Sequence, residues 1–151
     1  MSAIVARVVS EPIRHEAVAD ALAGPEHGAN VIFWGLVRNT NEGKPVVAVS
    51  YDAHAPLAEK TFREIANEAQ DRWGPELRVV IIHRTGRLDV GEASVVIGVA
   101  SPHRDEGYQA SRYVIEQLKM RSPIWKQEHY VDGDSDWLEG HTLREAADRI
   151  F

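Results

Sequence analysis

Twice in this chain a stretch with apolar residues at helical spacing ends on Gly-Pro and gives way to a run rich in β-branched residues. The first such stretch carries Ile13, Ala17 and Ala21, stops at Gly24-Pro25, and is followed by Gly28–Val37 with Val31, Ile32, Phe33, Trp34 and Val37. The second opens at Pro56, since proline is tolerated in the first helical turn. It presents Phe62, Ile65, Ala66 and Ala69 on one face, stops at Gly74-Pro75, and is followed by Leu77–His83. Glycine accepts the backbone that closes a helix and proline cannot continue one. The pattern demands helices packed on strands, and it excludes an all-helical bundle and an all-strand sandwich.

The remaining segments extend this reading. Ile4–Val9, Val46–Tyr51, Ser94–Ala100 and Ile124–Val131 read as strands, and Gly28–Val37 as a buried one. Asn39–Lys44 reads as a turn or loop, Gly86 and Gly91 as turns, and Asp132-Gly133-Asp134 as another. A helix is expected from about Asp105 to Arg121, with Ala110, Val114 and Leu118 inward and Pro123 beyond its end. Thr142 and Glu145 form a capping box before Leu143, Ala146, Ala147 and Ile150. The class expected is α+β or α/β, with several strand pairs close enough to be antiparallel. With 151 residues and no linker or repeat, the chain 1–151 is expected to form one domain.

Composition narrows the function. The absence of cysteine excludes a disulfide framework, a thiolate metal site and a cysteine nucleophile. The seven histidines contain no HExxH or HxH, so no metal site is expected. A net charge of −6 argues against nucleic acid. No apolar run approaches the ~20 residues of a membrane span. The N-terminus lacks a signal-peptide pattern, and a cytoplasmic protein is expected.

Against this acidic background, basic residues gather at the ends of expected elements: Arg38, His103-Arg104, Lys119 and Lys126. Arginine offers a planar fork for phosphate, and lysine an amine whose basicity burial lowers. Together they suit a small anionic ligand and an amine for catalysis. Each also has a plain structural reading: a solvated charge at a strand end, or a lysine complementing a helix dipole. Trp125 reads first as a core anchor. The residues by themselves therefore define a globular domain with a candidate anion site.

Taken together, Gly28-Ala29 through Phe33, Gly35-Leu36-Val37-Arg38-Asn39, His83-Arg84-Thr85-Gly86, Gly91-Glu92, Ser101-Pro102-His103-Arg104, Leu118-Lys119 and Pro123-Ile124-Trp125-Lys126-Gln127-Glu128, with Gly133 and Trp137 beyond, resemble the large subunit of molybdopterin synthase. The resemblance runs from about Ala3 to Trp137 and rests on the order and spacing of these short motifs. It implies an α/β hammerhead fold with an added small antiparallel β subdomain, a homodimer, and no cofactor. It also implies a ubiquitin-like small subunit ending in a Gly-Gly thiocarboxylate, the two together forming a heterotetramer. Two sulfur transfers from that tail would convert cyclic pyranopterin monophosphate (precursor Z) into the dithiolene of molybdopterin. The lack of cysteine fits sulfur that arrives already activated.

By the same resemblance Arg38, His103 and Arg104 match positions that bind the pterin and its phosphate, with Leu36 and Val37 beside Arg38. Lys119 and Lys126 match two lysines of the reaction centre, and Gln127 and Glu128 follow into the same pocket. Leu36 stands where such proteins often carry lysine, and Ser50-Tyr51-Asp52-Ala53-His54 departs from the usual Leu-x-Tyr-Glu-x-Tyr form. Two other functions stay open: a non-catalytic pterin- or small-subunit-binding module, and an unrelated enzyme acting on a phosphorylated metabolite.

Overall fold

The computed structural model describes residues 3–139. The capping box expected at Thr142–Glu145 and the helix after it lie outside the described residues. Strands β1 (Ile4–Val9), β2 (Ala29–Leu36), β5 (Arg78–Arg84) and β7 (Ala93–Ser101) form a four-stranded sheet in the order β1-β5-β7-β2. β1 and β5 run parallel, while β5, β7 and β2 are antiparallel neighbours. Helices α2 (Ala55–Trp73) and α3 (Arg104–Arg121) cover one face; α1 (His15–Leu22) covers the other. A second, all-antiparallel sheet is built on β4 (Lys44–Ala53) and β8 (Ile124–Tyr130). Short strands β3 (Thr40–Asn41), β6 (Gly86–Asp89), β9 (Gly133–Asp134) and β10 (Leu138–Glu139) add to it. The α+β class and the added antiparallel sheet agree with the sequence reading.

Hydrophobic periodicity accounts for the packing. On α2, Ala58, Phe62, Ile65, Ala66 and Ala69 are fully buried against Val79, Ile81, Ile97 and Val99 of the sheet. On α3, Ala110, Val114 and Leu118 join the same core, as their spacing requires. At Gly107 a Cβ would stand 2.8 Å from Ser101 Oγ and 3.1 Å from Val31, so glycine there lets the first turns of α3 press onto the sheet. On α1 the buried residues are Val18 and Leu22, whereas Ala17 is exposed.

One sequence expectation changes and another is made specific. Among the described residues Gly28–Val37 is an edge strand rather than a buried one: β2 pairs there only with β7, and Ile32 and Leu36 stay 38% and 55% exposed. Its continuous apolar run serves both faces: Val31 and Phe33 turn towards α3 and the groove beside it, and Trp34 packs in the α1 core. The turn expected at Asn39–Lys44 is there, as a tight hairpin in which Glu42 and Gly43 take φ of 51° and 78°. Positive φ at both central residues matches the turn that fits the right-handed twist of paired strands.

Candidate functional site

The β2 strand delivers Arg38 through an irregular end. Its register with β7 shifts between Gly35 and Leu36. Val37 is then gripped on both sides, its N–H donating to the Glu92 carbonyl at 2.9 Å and its carbonyl accepting from the Gly91 N–H at 2.8 Å. Gly91 sits at φ 90°, which favours glycine. Glu92 is itself tied down by Arg84 Nη1 at 2.9 Å and by the Asp89 N–H at 2.8 Å. The His83–Gly86 and Gly91-Glu92 motifs thus brace the turn that presents Arg38.

Strand β8 supplies the amine. Its alternation puts Lys126 and Glu128 on one face, and pairing with β4 sets Tyr51 opposite Lys126 and Val49 opposite Glu128. Lys126 and Glu128 are 6% and 3% exposed, and Lys126 Nζ donates to Glu128 Oε1 at 3.2 Å. Burial lowers the Lys126 pKa; the Glu128 carboxylate opposes that, and the Arg38 guanidinium adds to it. An amine so placed is better able to give up and regain a proton near neutral pH than a solvated lysine.

Leu36, Val37, Arg38, Tyr51, Lys126 and Glu128 line one small pocket of about 30 Å³, with Val46, Val49 and the start of the β3–β4 hairpin. That volume holds a single small group rather than a bicyclic ring. Tyr51 was not singled out by its residue type, yet it packs between two apolar cores, edge-on to His83 at 5.1 Å. Burial, and secondarily the Glu128 charge, raises the Tyr51 pKa. The phenol is therefore a standing proton donor. Burial also pushes His83 down to about 4, and its neutral ring donates from Nδ1 to the Arg84 carbonyl at 2.9 Å.

The other expected site residues lie elsewhere on the chain. Gln127 points from the opposite face of β8 and donates to the Ser135 carbonyl at 3.0 Å. Lys119 lines a broad groove of about 590 Å³ between the β2 edge and α3, with Val31, Phe33, Tyr108 and Ile115. His103 and Arg104 are exposed at the N-terminus of α3, where His103 makes no capping bond. Fifteen residues of helix, about 22 Å at 1.5 Å each, separate Arg104 from Lys119. Among the described residues no cluster of His, Asp and Glu could hold a metal ion.

This sheet pairing, with a buried amine and an arginine lining one pocket, defines an α+β protein with a candidate site for a small anionic group. Residues 8–121 match the family model described as MoaE protein, and the chain belongs to that family. It is 46% identical over 132 residues to the molybdopterin synthase catalytic subunit of Synechococcus elongatus, covering 87% of this chain and 80% of the relative. It is 42% identical over 146 residues to the protein of that name from Halalkalibacterium halodurans, covering 95% and 93%. The crystal structure of molybdopterin synthase from Staphylococcus aureus superposes with a TM-score of 0.84 at 36% identity, over 91% of this chain and 98% of that one.

Proposed function

We propose that this chain is the catalytic subunit of a molybdopterin synthase, moving two sulfurs from a thiocarboxylated partner onto cyclic pyranopterin monophosphate. The observation that carries the reading is a buried lysine beside an arginine in one pocket, Lys126 with Arg38, in a chain of the MoaE family. In each transfer the thiocarboxylate sulfur bonds to a pterin carbon whose bond to oxygen breaks, and water then hydrolyses the acyl carbon–sulfur bond, leaving the sulfur on the pterin and the carrier as a carboxylate. Lys119 meets the tail's carbonyl and stabilises the oxyanion that develops there. Lys126 positions the pterin and exchanges protons with it. Arg38, His103 and Arg104 hold the substrate's phosphate and ring, and Leu36 and Val37 shape the wall. Gln127 serves by holding the strand that presents Lys126 and Glu128.

The partner is a ubiquitin-like small subunit, whose extended Gly-Gly tail fits the groove between the β2 edge and α3 leading past Lys119. A strand that lies at the sheet edge among the described residues suits an extended chain. The ~22 Å between Arg104 and Lys119 is too long for one small ligand to bridge, so a second copy supplies His103 and Arg104 to each site. The whole chain acts as one domain within a homodimer flanked by two small subunits. Among the described residues no helix is long and apolar enough to cross a membrane, and we place the reaction in the cytoplasm.

Incubation with precursor Z and thiocarboxylated small subunit, followed by mass analysis of the pterin, tests the reading. Product carrying two added sulfurs is expected. Binding of both components without added sulfur would instead support a non-catalytic module.

A further inference from the structure

The Lys126–Glu128 pair is held from outside the pocket by one residue that neither the family motifs nor the sequence reading singled out. Ser135 follows β9 and folds back on β8. Its N–H donates to the Glu128 carbonyl at 2.9 Å, and its Oγ accepts from the Glu128 N–H at 2.9 Å. The same hydroxyl lies 3.1 Å from Glu128 Oε2 and 2.8 Å from the Asp136 carbonyl, so its single proton is shared between the two. Glu128 Oε1, the other carboxylate oxygen, receives Lys126 Nζ at 3.2 Å. The Ser135 carbonyl accepts from Gln127 Nε2 at 3.0 Å, which fixes the serine in turn. On the far face of the hairpin, His129 Nδ1 meets Asp134 Oδ1 at 2.8 Å and His129 Nε2 meets Ser50 Oγ at 2.6 Å, tying the hairpin to β4.

We propose that Ser135 is a positioning residue for the reaction centre: its hydroxyl and backbone fix the Glu128 carboxylate, which fixes the Lys126 ammonium in the Arg38 pocket. The inference rests on the reading of that pocket given above. A buried carboxylate with only one anchored oxygen is free to turn, and Lys126 then loses its counter-charge to the unopposed influence of burial and of Arg38. The groups facing Lys126 are Glu128, the Arg38 guanidinium, the Tyr51 phenol across the strand pair and, farther off, Glu42.

The chain has four lysines, so the side-chain resonances of ¹³C-lysine-labelled protein are resolvable, with Lys126→Arg identifying the Lys126 signal. Ser135→Ala should move the Lys126 titration to lower pH and reduce saturated single-turnover sulfur transfer roughly ten- to a hundred-fold, as small misplacements at a reacting centre do. KM for precursor Z should stay within about twofold. Ser135→Thr, which keeps the hydroxyl, should titrate and turn over like the wild type. In a Glu128→Gln background Ser135→Ala should add no further shift. A wild-type Lys126 titration in Ser135→Ala, an equal shift in the Glu128→Gln background, or failure of Ser135→Thr to restore the wild-type titration overturns the proposal. The titration needs no substrate. It therefore stays readable if the sulfur-transfer reading fails, a failure that would show separately as no product from the wild-type protein.

Discussion

Between the helices and the four-stranded sheet, the buried side chains that fill space are apolar: Phe62, Ile65, Leu77, Ile81, Ile97 and Val114. In the antiparallel sheet the apolar cluster is small, Val37, Val46, Val49 and Leu88, and beside it lie buried Lys126 and Glu128. The first region follows the rule that close-packed hydrocarbon stabilises a fold. The second departs from it, because a buried ion pair is a weak source of stability and an apolar pair of similar volume often serves as well. The contrast teaches where to look for chemistry. The large sheet and its helices are a platform that presents Lys119, His103 and Arg104 at its surface, and the small sheet carries buried charged groups that stability does not require.

If that division is right, each half should fail in its own way. The largest effect is expected at Lys119, on the groove side of the platform. Lys119→Ala should reduce sulfur transfer at saturation by about a thousandfold or more, while its urea midpoint stays with the wild type, because the side chain is only half-buried. Normal turnover in this variant would remove Lys119 from the reaction. Next comes the platform itself. Phe62→Ala should cost about 3–5 kcal/mol in urea unfolding, with the rate per folded molecule unchanged.

A smaller effect sits where the two regions touch. His83 is buried neutral, with its pKa lowered from 6.5 to about 4. The unfolded chain binds this proton and the folded chain does not, so the contribution is complete above pH 6.5 and is lost as pH falls from 6.5 towards 4. It amounts to a few kcal/mol across that window. His83→Gln should flatten the stability profile between these pH values and leave the profile above pH 7 parallel to the wild type. An unchanged acid limb would show that other groups set it.

The smallest effects concern binding. Arg38→Ala and Arg104→Ala should raise KM for precursor Z roughly ten- to a hundredfold with a nearly unchanged saturated rate, because arginine holds phosphate but does not shuttle protons. Mixed dimers of Arg104→Ala and Lys119→Ala chains should recover one intact site, as expected when a site draws on both copies. No recovery would place the whole site within one chain.

The platform was legible in the sequence because its signals are local. The Gly-Pro stops, the Phe62-Ile65-Ala66-Ala69 stripe and the Ala110-Val114-Leu118 spacing each report a face directly. What was hidden depends on pairing. Strands β6, β9 and β10 are two to four residues long, below the length at which alternation speaks. The exposure of Ile32 and Leu36 follows from β2 having one neighbour among the described residues, which no local pattern encodes. Gln127 and Glu128 look equivalent after Lys126 in sequence, but strand alternation separates them onto two faces. That alternation, applied to Val49 and Tyr51, is the signal that would have brought Tyr51 to notice. Ser135 carries no such signal, since its role depends on the fold-back of β9.

The division between platform and chemistry is tested most directly by removing the buried Lys126 and Glu128 charges of the small sheet at once, in Lys126→Met/Glu128→Gln, and measuring urea unfolding alongside single-turnover sulfur transfer at saturation. The double variant leaves no lone buried charge, and its glutamine can still accept from Ser135 Oγ. The account predicts an unfolding midpoint at or above that of the wild type, with sulfur transfer lower by about a hundredfold or more. A variant that loses several kcal/mol of stability, or one that transfers sulfur at the wild-type rate, would contradict it.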